Sequence, residues 1–417
     1  MEPASGHNAR ADDNARTDGL LALPDELLVR VLTHLPSIRD FGRADCVCCA
    51  WHAGGSPVEQ ALRMWTQARR RAVPEALPVG AGSVTQRLCW LELLHAARVS
   101  SHALAAGSFA SAVIDAQGGL CMWGALIVDT AIQPALFISN APTLLTTMVD
   151  MRVQRVSLGL SHALVLMETG EVISYGKGEH GLLGHGDRED QSEPKVIEAL
   201  RGVRVVAIAA GGEHSMVQTD GCGVLSFGSG EDGALGHGDE VRLEPTAIEA
   251  LRDVRVVAMA AGLAHSMVLT DEGNVLSFGR GTRGQLGHGV GEHQYEPTVI
   301  EALRGTRVVA IAAGDFHSMV LTEEGSVLSF GCGYDGRLGH GDTGDQLVPK
   351  IIEALSDVRV TAIAAGESHS MVLTDEGNVL SFGCGMSGQL GHGDIAIQYD
   401  LCEPNVIEAL RSVRMVR

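Results

Sequence analysis

The sequence predicts a mainly β protein: a β-propeller of six recognisable repeats, with a seventh missing or incomplete, behind a small N-terminal α-helical module. Three observations predict this class. A unit of 51 or 52 residues recurs from about residue 104 onward, glycine supplies 52 of 417 residues, and helical periodicity is confined to the first hundred residues. The hydrophobic content of 45% excludes a disordered chain. The glycine content excludes an ordinary helical bundle, because glycine inside a helix costs about 1 kcal/mol relative to alanine.

The first part of the chain divides into a tail, a helical module and a linker. Residues 1–18 are polar and predict a disordered tail, and residues 19–72 predict the helical module. Pro24 begins its first helix, where the missing N–H is tolerated, and Pro36 ends it. Residues 73–103 predict a linker rich in proline and glycine, followed by a bridging helix. The first helix carries one apolar stripe, formed by Leu27, Leu28, Val31, Leu32 and Leu35.

The remainder of the chain, residues 104–417, predicts the propeller. Its repeats begin near residues 104, 156, 208, 259, 311 and 363, and residues 412–417 match only the first strand of a further unit. Each unit holds four short apolar runs between glycine, proline or acidic turns, which favours strands over helices. Four strands per repeated unit are typical of a propeller blade. In the fifth unit we expect strands at Val308–Gly314, His317–Thr322, Val327–Gly331 and Ile351–Leu355.

Two histidines recur in the complete units. The same side chain at the same place in every copy indicates a scaffold role, with a hydrogen bond to a loop backbone, rather than metal binding. The recurring G-x-G-x-x-G motif has the spacing of a dinucleotide site but opens no helix, so it predicts tight turns. We therefore expect no metal, no cofactor and no catalytic residue. The histidines are His162, His214, His265, His317 and His369 in G-x-x-H-S/A, and His185, His237, His288, His340 and His392 in L-G-H-G.

The charge of the propeller narrows the classes of partner. Residues 156–417 hold 37 acidic and 18 basic residues, a net charge of −19. This charge repels phosphate backbones, so we expect no nucleic acid partner; it attracts basic protein segments, or else serves only solubility. The chain begins with no secretory signal and contains no apolar run of 18 residues, so we expect no membrane partner. Nine cysteines without a regular framework fit the cytoplasm, the nucleus or both.

The helical module resembles the F-box motif. It departs from that motif at Cys49, where the family often has arginine, and at Gly42 and Arg43, where it often has leucines. The resemblance implies docking to a Skp-type adaptor of a cullin–RING ubiquitin ligase. The residues that carry it, in the motif's order, are Leu23 to Leu28, Val31, Leu32, Leu35, Asp40, Phe41 and Val47 to Trp51. The residues it assigns to the adaptor surface are Leu23, Pro24, Leu27, Leu28, Val31, Leu32, Leu35 and Trp51.

Residues 104–417 resemble the repeats of the regulator of chromosome condensation. The elements G-x-x-H-S/A, S-F-G, G-x-L-G-H-G and P-x-x-I-E-A-L carry the resemblance. It implies seven blades. This chain has six copies and a stub, so the sequence does not determine whether the propeller closes into a ring. The loops that differ most between copies are the candidates for binding a partner, and we choose Thr343–Val348 and Ile395–Glu403. From these loops and their edges we expect substrate contacts by Asp342, Asp345, Gln346, Gln398, Tyr399 and Asp400.

The two resemblances together imply a non-catalytic adaptor. The helical module would dock a Skp-type adaptor and a cullin, and the propeller would bind a protein substrate with basic segments. The alternative is a guanine-nucleotide exchange factor or regulator of a Ran-like small GTPase, because the founding member of the repeat family acts on Ran. A third hypothesis, ultraviolet sensing, requires tryptophans clustered on the propeller. We discard it because only Trp123, of four tryptophans, lies in the repeats.

Overall fold

The structure, a computed structural model, describes the repeated part of the chain. The described residues are 104–107, 110–115, 118–126, 137–148, 151–386, 388–392 and 400–411. They form six four-stranded antiparallel sheets, which confirms the predicted β-propeller. The predicted tail, helical module, linker and bridging helix, and the stub at residues 412–417, lie outside the described residues. Within the described part of the chain, no helix has the length and apolar content needed to cross a membrane.

Each sheet holds its four strands in chain order, so consecutive strands are hydrogen-bonded neighbours. We call the connections within a sheet the 1–2 loop, the 2–3 turn and the 3–4 loop. The first three sheets contain β1 (Leu104–Ala106), β2 (Ala110–Ile114), β3 (Leu120–Leu126) and β4 (Phe137–Leu144); β5 (Val153–Leu158), β6 (His162–Met167), β7 (Val172–Gly176) and β8 (Gln191–Val196); and β9 (Val205–Ala210), β10 (His214–Thr219), β11 (Val224–Gly228) and β12 (Arg242–Ala247).

The last three sheets repeat the same plan. They contain β13 (Val256–Ala261), β14 (His265–Thr270), β15 (Val275–Gly279) and β16 (Gln294–Val299); β17 (Val308–Ala313), β18 (His317–Thr322), β19 (Val327–Gly331) and β20 (Gln346–Ile351); and β21 (Val360–Ala365), β22 (His369–Thr374), β23 (Val379–Cys384) and β24 (Asp400–Val406). Short 3-10 helices span Thr146–Met148, Glu179–Gly181, Glu198–Leu200, Glu231–Gly233, Glu249–Leu251, Glu301–Leu303, Tyr334–Gly336, Glu353–Leu355 and Glu408–Leu410.

The fourth strand of the fifth unit lies earlier than the sequence pattern predicts. We expected a strand over Ile351–Leu355, but β20 ends at Ile351 and a 3-10 helix follows at Glu353–Leu355. Ile352 and Leu355 are buried, so their apolar character reflects this turn and not a strand. β20 is largely exposed and contains Pro349, which is tolerated because β20 is an edge strand.

The core lies between neighbouring sheets. The first strands of successive sheets contact one another, which places them nearest the axis, while the fourth strands form the outer edges. Met319 and Leu321 of the fifth sheet pack against Val372 and Phe382 of the sixth, and all four are fully buried. Alternate residues of the second strand contact opposite neighbours in the second to fifth sheets, so each of these sheets contributes to two layers of the core.

Glycine permits both the turns and the close packing near the axis. Gly273 and Gly377 end Asp-Glu-Gly sequences in 2–3 turns, where their φ angles of +85° and +86° favour glycine. Gly314 has a different role. A side-chain carbon there would collide with the imidazole of His317 and with the carbonyl oxygen of Gly366 in the next sheet. At this position the absence of a side chain lets the two sheets approach closely.

Candidate functional site

The histidines of G-x-x-H-S/A link each sheet to the next. In four copies Nε2 lies 2.8 or 2.9 Å from the Oγ atom of a serine on the second strand of the following sheet. Both side chains of each pair are fully buried. The sequence predicts a loop backbone as the partner, and the structure supplies a hydroxyl instead. The pairs are His162–Ser215, His214–Ser266, His265–Ser318 and His317–Ser370.

The serine connects the histidine to a loop of the histidine's own sheet. Ser370 Oγ donates to the carbonyl oxygen of Arg337 at 2.8 Å. Because a hydroxyl has a single proton, the hydrogen between Ser370 and His317 must come from the imidazole Nε2. The Nδ1 atom is then an unprotonated acceptor. Among the described residues it has no hydrogen-bond partner in His162, His214, His265 or His317.

Burial keeps this set of histidines neutral. It lowers the pKa of His162, His265 and His317 to about 3 and that of His214 to about 4. The nearby Arg337 adds to the lowering at His317. Each imidazole therefore has its Nε2 proton engaged and its Nδ1 atom enclosed. It could bind a metal or accept a proton only if the sheets separated, so the geometry favours a structural role.

The histidines of L-G-H-G close the 3–4 loop within their own sheet. In all five copies Nε2 lies 2.9–3.1 Å from the Oγ atom of a serine on the third strand. That serine also donates to a leucine carbonyl nine residues later, as Ser329 does to Leu338 at 2.6 Å. Burial lowers the pKa of His340, and the adjacent Lys350 lowers it further. The pairs are Ser174–His185, Ser226–His237, Ser277–His288, Ser329–His340 and Ser381–His392.

The glycines of the 3–4 loop hold the next sheet directly. The N–H of Gly341 donates to the carbonyl oxygen of Cys402 on β24 at 2.8 Å. Gly336, at φ +75°, leaves no room for a side chain because Cys402 Cα would lie 2.6 Å from it. Equivalent bonds join Gly186 to Leu243, Gly238 to Tyr295 and Gly289 to Leu347. The motif that has the spacing of a phosphate site therefore serves packing between sheets.

The sixth sheet presents the same surface without a following sheet among the described residues. His369, Met371 and Leu373 are half-buried, whereas their counterparts in the fifth sheet are fully buried. Burial again lowers the pKa of His369. The described residues show no contact between the first and sixth sheets as extensive as those between successive sheets. Closure of the ring therefore depends on contacts between the sixth and the first sheet.

The residues expected to contact a substrate in the fifth sheet hold their own loop. Asp342 Oδ1 accepts the N–H of Gly344 at 2.9 Å, and Asp345 Oδ1 accepts the N–H of Gly333 at 3.0 Å. Asp345 Oδ2 also lies 3.4 Å from Arg283 Nη1 in the fourth sheet. These bonds give both aspartates a structural function in the loop, and their contact with a substrate stays a prediction.

The other predicted site residues are only partly described. Gln346 pairs with Gly331 in the ladder of the fifth sheet, and Asp400 pairs with Cys384 in the sixth. Gln398 and Tyr399 lie outside the described residues. The whole predicted adaptor surface lies outside them as well, namely Leu23, Pro24, Leu27, Leu28, Val31, Leu32, Leu35 and Trp51.

A buried arginine joins the fifth and sixth sheets at the end of the propeller that carries the 1–2 and 3–4 loops. Arg337 is 5% exposed, and its guanidinium donates to Asp335 Oδ2 at 3.0 Å and to the Tyr334 carbonyl at 2.8 Å. It also reaches the carbonyl of Glu367, in the next 1–2 loop, at 3.4 Å. Our sequence reasoning missed this cluster. Comparing the loops of the copies position by position would have revealed it, because other copies have Leu, Ala or Gln where Arg337 stands.

The sequence matches profiles of two known families. Five segments match the regulator of chromosome condensation (RCC1) repeat and together cover more than half of the chain: residues 169–218, 223–269, 272–321, 324–373 and 376–417. Residues 20–53 match the F-box-like family. The chain therefore belongs to the RCC1-repeat family and carries an F-box-like region, as both resemblances predicted. Such regions are typical of non-catalytic adaptor and regulator domains.

Several curated relatives share the repeats. The ultraviolet-B receptor UVR8 of Arabidopsis thaliana is 38% identical over 61% of this chain and 58% of its own length. The human E3 ubiquitin-protein ligase HERC2 is 39% identical over 67% of this chain but only 6% of its own length. The mitochondrial RCC1 domain-containing protein RUG3 of A. thaliana is 34% identical over 57% of this chain and 55% of its own. The chain thus spans less than two thirds of each relative.

Solved structures share the fold. Human WBSCR16 aligns with a TM-score of 0.63 at 24% identity, covering 73% of this chain and 80% of that protein. Yeast RCC1 (Prp20), solved bound to Kap60, aligns with a TM-score of 0.63 at 21% identity, covering 73% and 74% of the two chains. At this level of identity the likeness establishes the propeller fold alone.

Proposed function

We propose that the chain is the substrate-recognition subunit of a Skp–cullin–F-box ubiquitin ligase, acting in the cytoplasm, the nucleus or both. The observation that carries the proposal is the presence, in one chain, of an F-box-like region at residues 20–53 and an RCC1-repeat propeller. The F-box-like region would bind a Skp-type adaptor and thereby a cullin. The propeller would hold a protein substrate for ubiquitin transfer and would supply no catalytic residue.

The chemistry of the propeller supports a binding role. The histidines His162, His214, His265 and His317 are neutral, buried and engaged with serines, so they belong to the scaffold and not to a reaction centre. The loops at one end of the sheets vary between copies on this rigid support, an arrangement typical of binding surfaces. The likeness to HERC2, an E3 ubiquitin-protein ligase, supports the use of such repeats in ubiquitin transfer, although it covers a small part of that protein.

The adaptor-binding step is tested with a double substitution in the predicted apolar stripe. The full-length chain carrying Leu27→Asp and Leu28→Asp should lose binding to a purified Skp-type adaptor in a pull-down. Two carboxylates would have to be buried against the adaptor without partners, which costs several kcal/mol. Equal recovery of the adaptor by this variant and by the unmodified chain would refute the proposal.

A second double-aspartate variant separates docking from general damage to the helix. Arg30→Asp with Thr33→Asp places two carboxylates on the same predicted helix but away from the apolar stripe. This variant should retain most of its adaptor binding. If both variants lost binding equally, the apolar stripe would not be the docking surface.

The alternative function is regulation of a Ran-like small GTPase. The observation that favours it is the acidic charge of the propeller, which would attract a basic surface. A nucleotide-release assay with Ran and the full-length chain tests it, and acceleration of release above the spontaneous rate would favour this function over the adaptor. Ultraviolet sensing finds no support in the repeats, whose single tryptophan is Trp123.

A further inference from the structure

Two loop positions change polarity between the middle sheets and the last two. The residue after the first glycine of the 1–2 loop is Leu160, Gly212 and Leu263 in the second to fourth sheets, but Asp315 and Glu367 in the fifth and sixth. The residue after the G-x-G of the 3–4 loop shows the reverse change, from Glu179, Glu231 and Thr282 to Tyr334 and Met386. The fold accepts a polar or an apolar residue at both positions, so the requirements of the scaffold do not explain why the last two sheets differ from the others.

These four changed residues lie on loops that contact one another. The Tyr334 carbonyl and the Glu367 carbonyl both accept hydrogen bonds from the Arg337 guanidinium. The N–H of Cys384, two residues before Met386, donates to the Ser368 carbonyl, one residue after Glu367. We call Asp315, Glu367, Tyr334 and Met386 the acidic–aromatic patch.

The apolar half of the patch is exposed to solvent. Tyr334 is 68% exposed and Met386 is 62% exposed, the two highest values among the large hydrophobic side chains of the described residues. An exposed aromatic ring and an exposed thioether beside carboxylates are typical of protein-binding surfaces. Neither side chain contributes to the packing between the sheets that was described above.

The acidic half of the patch lacks a matching cation. The Arg337 guanidinium is paired with Asp335, and Asp315 and Glu367 take part in none of the ion pairs formed by the described residues. Burial and the repulsion from Glu367 raise the pKa of Asp315 to about 6, against the opposing effect of Arg337. A cation supplied from outside would relieve this repulsion.

A buried amide next to the patch is also unsatisfied. Gln285 is fully buried, and its Nε2 has no hydrogen-bond partner among the described residues. Gln285 occupies in the fourth sheet the position that Arg337 occupies in the fifth, and its carbonyl accepts the Ser318 hydroxyl as that of Arg337 accepts Ser370. The Gln285 side-chain carbonyl accepts the N–H of Arg283 at 2.9 Å. Because the Nε2 atom is enclosed, it belongs to the packing between the two sheets, and the ligand contacts are assigned to the solvent-accessible residues of the patch.

We propose that the acidic–aromatic patch binds a short protein segment in which a lysine or arginine is flanked by apolar side chains. The cation would lie between Asp315 and Glu367, and the apolar side chains would cover Tyr334 and Met386. The proposal deepens the proposed function, since such a segment would belong to the substrate. It also explains how a propeller with a net charge of −19 could select one basic segment, because two carboxylates and two apolar side chains must be met together.

The test uses the full-length chain and defined peptide pools. Fluorescein-labelled nonapeptides carry Lys, Arg, Gln or Glu at the central position, Leu or Phe on each side, and mixed residues elsewhere. Binding is measured by fluorescence anisotropy at pH 7.5. Pools centred on Lys or Arg should bind about tenfold more tightly than the Gln pool, and the Glu pool should bind most weakly.

Two sets of variants locate the binding to the patch. Asp315→Leu with Glu367→Leu, which installs the residue of the second and fourth sheets, should abolish the preference for Lys and Arg. Asp315→Asn with Glu367→Gln should do the same while keeping the side-chain size. Tyr334→Thr with Met386→Thr, by analogy with Thr282, should weaken the binding of all pools severalfold by removing apolar contact.

A control pair removes the same charge elsewhere on this end of the propeller. Glu179→Thr with Glu231→Thr changes two exposed glutamates of the second and third sheets, which stand where Tyr334 and Met386 stand in the last two sheets. This variant should keep the preference for the Lys and Arg pools. Three results would overturn the proposal: equal binding of the four pools, an unchanged preference in the Asp315/Glu367 variants, or an equal loss in the control pair. Because no adaptor is present, these results do not depend on whether the F-box-like region docks.

Discussion

The buried histidines between the sheets make the stability of the propeller depend on pH. In the folded state the pKa of His162, His214, His265 and His317 is about 3 to 4, whereas an unfolded histidine titrates near 6.5. The unfolded state therefore binds protons that the folded state cannot accept. This contribution to stability is complete above pH 6.5 and is lost as the pH falls toward 3.

The expected size follows from the four pKa differences. Lowering the pH from 7.5 to 5.5 should reduce the free energy of unfolding by about 1.4 kcal/mol for each histidine, on the order of 5 kcal/mol together. Asp315, with its pKa raised to about 6, acts in the opposite direction below pH 6 and offsets part of this loss. Urea denaturation of the full chain, followed by far-ultraviolet circular dichroism at the two pH values, measures the change.

Single substitutions distinguish the contribution of the histidines to the pH dependence of stability from that of the carboxylates. His317→Gln keeps an N–H donor for Ser370 but removes one titrating group, so its pH-dependent loss should be smaller by about 1.4 kcal/mol. Ser370→Ala should be less stable at both pH values, with the same pH-dependent loss as the unmodified chain. The reasoning fails if His317→Gln loses as much stability between pH 7.5 and 5.5 as the unmodified protein does.

Three further outcomes are expected. Gly314→Ala should lower the free energy of unfolding by about 3 kcal/mol or more, measured by urea denaturation, because its methyl group would collide with His317 and with backbone of the next sheet. Ser370→Ala, with exposed Ser192→Ala as its control, should cost about 3 kcal/mol at pH 7.5, because the imidazole N–H and the Arg337 carbonyl would both lose their partner. Ultraviolet-B illumination should leave the urea denaturation curve of the full chain unchanged, because the repeats contain a single tryptophan, Trp123, and no tryptophan cluster that could absorb and relay the light.

Much of the propeller could be predicted from the sequence because each repeat encodes its local structure. The period of 51 or 52 residues, the apolar runs and the Asp-Glu-Gly turns depend on neighbouring residues, and the strands appeared where three of the four runs lie. The fourth run was misread. Ile352 and Leu355 are apolar because a 3-10 turn buries them, and a strand and such a turn are hard to distinguish over five residues.

Contacts between sheets were harder to predict than contacts within them. The partner of His317 is Ser370, 53 residues away, and no local pattern distinguishes this serine from a loop backbone as the acceptor. The Arg337 cluster and the exposed Tyr334 were missed for a related reason. A search for what the copies share finds the scaffold, whereas a binding surface is found at the positions where one copy differs from the others.

The central claim, that one end of the chain docks to a ligase while the propeller holds a substrate, has a direct test in cells. Quantitative affinity purification compares the unmodified full-length chain with the variant Leu27→Asp, Leu28→Asp. We expect the variant to lose the Skp-type adaptor and the cullin but to retain the proteins bound by the propeller, which should then accumulate because they are no longer ubiquitinated. Retention of adaptor and cullin by the variant, or their absence from the purification of the unmodified chain, would contradict the account.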